Sequence, residues 1–494
     1  MDILIDTGYA SLHRNFDDKY GGFSQSPKFP TPHNLLFLLK YAWANKNDSA
    51  LHMAQQTLTQ MYYGGIYDHL GGGFSRYSTD RQWLVPHFEK MLYDNALLLL
   101  AYSEAFSLTK NHEFNTIIDG IAHYALRDMQ SNSGGFFSAE DADSEGEEGK
   151  FYVFEYEELK EKLLSDELRW LEENYGVSPR GNFEGKNILH ITGEGKGGDT
   201  ILPKLYDIRS KRPRPFKDTK ISVSWNGFMI EALCRAAEVT GNKDYIHSAK
   251  KAADFILEKT KESGELFGVY IEGAKPSKAF LSDYANFANG LIELYRATLD
   301  LNYLKEAKNL ASKMISLFWD DEKSCFYMTS KDDKELFLRP KDEHDGAMPS
   351  GTSCALQCLD NLTKLTGDTK LSAMYEKAAN AFMSTAATMP AAYLHFISLL
   401  LENTMPHRQI IICAQKSDDE ARQVYSRIQK EYLPFTTLIF YGGSFEEKQI
   451  FPELKNYDTS HGFAAYVCEN FSCQSPIYTP GELLNYLSLS AEKE

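Results

Sequence analysis

Pairs of helix-length apolar patterns recur along the chain, joined alternately by very short and very long links. "NLLFLLKYAWANK" precedes "SALHMAQQTLTQMY", and "HFEKMLYDNALLLLAYSEAFSLT" precedes "EFNTIIDGIAHYALRDMQ". Three further pairs begin "GFMIEALCRAAEVTG", "YANFANGLIELYRATLD" and "SGTSCALQCLDNLTKLTG". Apolar residues fall at three-and-four spacing, as in Ala307, Leu310, Ala311, Met314 and Leu317, which predicts one buried face per helix. A helix over residues 2–17 and one near 391–403 bring the total to twelve. Six hairpins that bury one another's faces close into a ring. The expected fold is therefore mainly α, an (α/α)6 toroid barrel. The short links ("NKND", "TGNKD", "TGDT") gather at one end and the long, Gly- and aromatic-rich links at the other. Side chains distant in sequence then meet around one mouth, where function is expected.

Residues 1–406 are assigned to this barrel, with an insertion at about 155–220. In the insertion "EYEELKEKLLSDELRWLEENYGV" reads as helix and "NILHI" as strand. Residues 407–494 read as a small α/β region: strands "RQIIICA", "TTLIFYGG" and "GFAAYVC", with "DDEARQVYSRIQKEY" and "TPGELLNYLSL" helical. The net charge of −17 disfavours nucleic acid or an anionic membrane surface as partner. No apolar run reaches membrane-spanning length, and the start lacks the pattern of an export signal. A cytoplasmic protein is expected. Seven cysteines occur without a CxxC. Cys354 and Cys358 read as core thiols, and Cys468 and Cys473 as reduced structural thiols.

Several residues could carry chemistry. His87, after Pro86, is placed at the N-terminus of a helix beginning near Phe88, where the dipole favours a neutral imidazole suited to general-base work. Capping or packing is its plain alternative. Glu89 belongs to that first turn. Asp94, inside the helix, would need a partner such as Arg76 or Lys90. Arg76, Tyr77 and Trp83 share the same stretch as candidate substrate contacts. His69 sits in "YDHLGGG" beside Asp68, the latter read as a turn former. "SAEDADSEGEEGKFYVF" offers Asp141 and Asp143 as a carboxylate pair, preferred over a solvated acidic hairpin. An EF-hand ranks last, because its twelfth position is Tyr152 and a strand follows. Trp225 and Asn226 ("SVSWNGFM") open an inner helix, and Trp suits sugar stacking. Asp283 and Tyr284 open the next, with Asp283 also a plausible N-cap. His344 and Asp345 lie in "DEHDGAMPSG", ahead of a capping Ser350. No metal site, cofactor fingerprint, P-loop or nucleophile elbow is found.

Together "GGFSQSPKFP", "GGGFSRYSTDRQWLVPHFEKMLYDNALL", "GGFFSAEDADSEGEEGKFYVF", "SWNGFMIEAL" and "DGAMPSGTS" resemble the YyaL / spermatogenesis-associated thioredoxin-domain family over nearly the whole chain. The resemblance implies a six-hairpin glycosidase-type barrel, similar to the N-acylglucosamine 2-epimerase and cellobiose epimerase group. It also implies an N-terminal thioredoxin-like domain, which is not expected within these residues, and hence a possible thioredoxin-like partner. Two activities on a small carbohydrate follow as expectations. One is epimerisation or isomerisation without metal, with His87 and His69 or His344 moving protons and Arg76 steadying the enolate. The other is glycoside hydrolysis, pairing Asp141 or Asp143 with Asp283 or Asp345. A non-catalytic binding or scaffold barrel is the third reading.

Overall fold

A computed structural model describes residues 1–489 except 195–196, 334–336, 458, 460–461 and 470–471. The barrel helices, in chain order, are α1 (Asp2–Asn15), α2 (Pro32–Asn45), α3 (Asp48–Tyr63), α4 (Leu92–Thr109), α5 (His112–Tyr124) and α6 (Val223–Thr240). They continue as α7 (Lys243–Ser263), α8 (Leu281–Thr298), α9 (Leu301–Phe318), α10 (Gly351–Thr366), α11 (Thr369–Ala386) and α12 (Leu394–Thr404). The even-numbered helices form the inner ring, each against the next, and α12 closes back on α2. Each of α3, α5, α7, α9 and α11 packs outside the inner helix before it, and α1 packs outside α12. Inner helices touch neighbours on several sides. Leu92–Leu99 of α4 are accordingly all buried, and the amphipathic stripe is wide there.

The five short joints share one construction. Lys46, Lys110, Gly241, Leu299 and Gly367 each take a left-handed conformation. An Asn or Asp follows and caps the outer helix: Asn47, Asn111, Asn242, Asp300 and Asp368 accept from backbone N–H groups of the first turn. One positive-φ residue and one cap reverse the chain in two residues.

The long joints fold as small hairpins. Lys90–Met91 pairs with Ala139–Glu140, which pairs with Lys217–Asp218. Pro86–His87 pairs with Tyr77–Ser78. The stretch "HFEK" is therefore extended rather than helical, and α4 begins at Leu92. His87 does not stand at a helix N-terminus. Its backbone, like that of Lys90, is committed to a ladder, and Pro86 removes one donor. Close approach explains part of the glycine content: a Cβ on Gly64 would lie 2.2 Å from the Trp83 carbonyl oxygen.

In the insertion the long helical pattern is broken into Tyr156–Lys162 and Ser165–Asn174, and a helix at Ile201–Arg209 was not anticipated. The break follows from a new cap, in which Glu167 accepts from the Leu164 N–H at 2.7 Å. "NILHI" is not a strand. Only Asn187 pairs, in a single bridge to Phe154.

The C-terminal sheet contains β1 (Arg408–Ala414), β2 (Thr436–Tyr441), β3 (Phe463–Glu469) and β4 (Ser472–Cys473), in the order β2-β1-β3-β4. β1 and β2 are parallel across α13 (Asp419–Gln429), and β3 is antiparallel to β1. Cys468 and Cys473 are opposite one another on β3 and β4 and joined as a disulfide, against the expectation of free thiols. This region is a plug in the short-joint end of the barrel. Tyr425 Oη donates to the Arg296 carbonyl at 3.0 Å, Ser107 Oγ to the Lys430 carbonyl at 2.8 Å, and Arg235 to the Gln429 carbonyl at 2.6 Å.

Candidate functional site

With one end plugged, the mouth formed by the long joints is where the inner helices present their N-termini. A cleft of about 290 Å³ opens there between α6, α8 and the loop before α10. Trp225, in the first turn of α6, lines it half-buried, edge-on to Tyr93 at 5.0 Å. Asp283, in the first turn of α8, lines the same space. Its Oδ1 accepts from Ser224 N–H at 3.1 Å and its Oδ2 from Phe280 N–H at 2.8 Å. Burial outweighs both bonds and pushes its carboxyl up to about 7. Asp342 completes the cleft from the loop before α10. It accepts from Gly351 N–H at 2.7 Å, and burial raises it too. Asn286 donates to Ser224 Oγ at 2.7 Å, which leaves its buried Oδ1 without a partner. The cleft thus brings together an aromatic ring, a buried amide and two carboxyls that burial biases toward the protonated form.

A second polar group is built from the hairpin before α4. Arg76 pairs with Glu89 at 3.2 Å. His87 stacks on Tyr77 at 5.0 Å, and its Nδ1 lies 2.8 Å from Glu148. Asp94 stands nearby, buried, its Oδ2 unpartnered and its carboxyl raised by burial despite the Arg76 charge. Lys90 does not reach it. Lys90 is buried against Asp68 at 2.9 Å and the Gly72 carbonyl at 2.8 Å, and Arg209 grips the same Asp68 at 2.7 and 2.9 Å. These two cations, and a turn in which Leu70 and Gly71 N–H groups bond to Asp68 Oδ1, hold that carboxyl well below the usual carboxylate range.

No family model matches the chain. Human spermatogenesis-associated protein 20 is 34% identical over 97% of this chain and 68% of its own length. The chain belongs to the spermatogenesis-associated protein 20 family. An uncharacterised protein of Caenorhabditis elegans is 30% identical over 96% of this chain and 72% of its own length. Among solved structures, a D-mannose isomerase superposes with a TM-score of 0.53 at 15% identity, covering 77% of this chain and 84% of that one. At that identity the likeness shows the fold, a six-hairpin toroid.

Within this spermatogenesis-associated protein 20 family barrel, the expected site residues separate. Trp225 and Asp283 meet in the cleft. Arg76, Tyr77, His87 and Glu89 meet in the hairpin cluster. Asp141 and Asp143 are exposed on the acidic hairpin, where Asp143–Ser144 pairs with Glu147–Glu148 around a turn with Glu145 and Gly146 at positive φ. His69 is enclosed by the rings of Tyr62, Tyr67 and Tyr175, and its Nε2–H donates to the Gly64 carbonyl at 3.0 Å. Burial pushes it down to about 4. Trp83 is fully buried and donates to the Tyr20 carbonyl at 2.9 Å. Tyr284 is buried against Phe318. Asn226 is buried and clamps the backbone of Phe136, accepting its N–H at 2.7 Å and donating to its carbonyl at 3.0 Å. His344 is exposed, with Nε2 2.9 Å from Tyr393 Oη. Asp345 is buried and ties two inner helices, accepting from Ser350 and His395 N–H groups at 2.9 and 2.8 Å. Burial pushes it up to about 6.

Asp342 and Asn286 were missed, and so was His33. The neutral imidazole in the first turn of an inner helix, expected at His87, is present at His33 on α2. His33 is buried, pushed down to about 4, with Nδ1 unpartnered. Its neighbour on α12, His395, is pushed down to about 3 by burial. The signal was available in "PTPHNLL", where Pro marks N1 and His follows.

Proposed function

We propose that the chain is a carbohydrate-active enzyme that works on the mouth cleft with carboxyl groups, as a glycoside hydrolase. The observation that carries this reading is the meeting of Asp283, Asp342 and Trp225 in one cleft. Hydrolysis needs one carboxyl protonated near neutral pH to give a proton to the leaving oxygen, and a second to activate water or attack the sugar. Asp283, held up to about 7, is assigned as the acid, and Asp342, less buried, as its partner. Trp225 offers an apolar ring to a sugar's C–H face.

Sugar epimerisation or isomerisation is the second reading. It needs two proton-transfer groups, and the neutral His33 and His395 on adjacent inner helices supply them in place of His87, His69 and His344. The two are separable by proton NMR of the purified chain with mono-, di- and unsaturated oligosaccharides in D2O. A new anomeric signal, lost in Asp283→Asn and Asp342→Asn, is the expected result. Deuterium entering at C2 of a reducing sugar, lost in His395→Gln, would replace it with the second reading. No change in any sugar would leave the barrel as a binding or scaffold protein, with a thioredoxin-like domain as candidate partner.

A further inference from the structure

The barrel axis is hollow at the end away from the mouth. A chamber of about 270 Å³ lies between the inner ring and the plug. Its wall is charged but unevenly paired. Lys40 and Lys364 pair with Glu402, Arg235 with Glu104 and Glu238, and Arg296 with Glu293. Among the described residues, Glu231 of α6 has no cation within ion-pair distance. It accepts only from Gln357 Nε2 at 3.3 Å, and Gln357 Oε1 in turn accepts from His395 Nε2–H at 2.9 Å. Ser398 of α12 is 3% exposed and lines the same space, and among the described residues its Oγ has no hydrogen-bond partner. A carboxyl without a counter-ion and a hydroxyl without a partner therefore line one cavity, each costly to bury unmatched.

We infer that this chamber is a second ligand site, taking a small molecule that carries a primary ammonium group, with Glu231 as its counter-ion and Ser398 Oγ accepting one ammonium N–H. The chamber has room for several heavy atoms beside that group. Burial and the facing Glu293 push Glu231 up to about 8, against the weaker pull of Lys40 and Arg296, so it is protonated at neutral pH. An arriving ammonium favours the carboxylate and releases that proton to solvent. The inference does not rest on the mouth cleft: Glu231 and Gln357 stand midway along α6 and α10 and Ser398 in the second turn of α12, and none of them lines that cleft.

The test is calorimetric titration of the full chain with putrescine and with glucosamine, with glucose as amine-free control, in two buffers of different ionisation enthalpy. Expected is binding of at least one amine with proton release, none of glucose, and affinity lost at least about tenfold in both Glu231→Gln and Ser398→Met. Asp283→Asn, at the mouth, leaves that binding unchanged. Tighter putrescine points to an aliphatic amine and tighter glucosamine to an amino sugar. The inference is overturned if neither amine binds, or if Ser398→Met, which keeps every charge and fills the chamber, binds as wild type.

Discussion

Asn95 and Asn226 show how single side chains set the mouth. Each lies in the first or second turn of an inner helix and binds both backbone groups of a Phe that follows a glycine pair. Asn95 accepts from Phe74 N–H at 2.7 Å and donates to its carbonyl at 3.0 Å, as Asn226 does for Phe136. Asn226→Ala leaves two buried backbone groups unpaired, at roughly 1–3 kcal/mol each. A loss of about 3 kcal/mol in urea-derived stability is expected, and a loss under about 0.5 kcal/mol would contradict the clamp. The sequence showed these Asn residues beside plausible site residues, but it could not distinguish a side chain bound to backbone from one free for ligand. Trp83 and Trp225 illustrate the same limit. Both are aromatics at the mouth end, one on a long joint and one in the first turn of α6, yet the first donates to a buried carbonyl and the second faces the cleft. Asp342 escaped notice because its role depends on which helix its loop crosses, a fact of tertiary position.

At the scale of elements, helix periodicity and joint length were enough to predict twelve helices and their alternation. They failed where ladder pairing competes with helix. Residues 88–91 continue the apolar spacing of α4, but a hairpin within their own joint pairs Pro86–His87 and a strand of the next long joint pairs Lys90–Met91. The short joints are a more local case. Gly241 sits at φ 81° with open space around a Cβ built on it. Gly241→Ala should therefore cost about 1 kcal/mol through backbone strain alone, and Asn242→Ala about 1 kcal/mol through the lost cap. Thermal melts of the two single variants and the double variant check this. A double variant no less stable than wild type would remove the joint as a structural device.

Across the whole molecule, burial displaces acids and histidines in ways that shape stability. Asp283 is held up to about 7 and Glu231 to about 8. Each keeps a proton in the folded state that the unfolded chain releases near pH ~4. The stability they lend is complete below that pH and is lost as pH rises through 7 to 8. His33, His69 and His407 at about 4 and His395 at about 3 act in the opposite sense, losing stability as pH falls from ~6.5 toward those values. Above about pH 6.5 the acids act alone, so the urea midpoint should fall between pH ~6.5 and ~8. Glu231→Gln should make that fall shallower, and an unchanged slope would deny that Glu231 is protonated in the fold. In the proposed function the mouth cleft binds sugar across Trp225. Saturation-transfer difference NMR of an oligosaccharide panel tests it most directly. Saturation should reach the sugar C–H face in wild type and in Asp283→Asn, and vanish in Trp225→Ala. Equal saturation in wild type and Trp225→Ala would contradict the account.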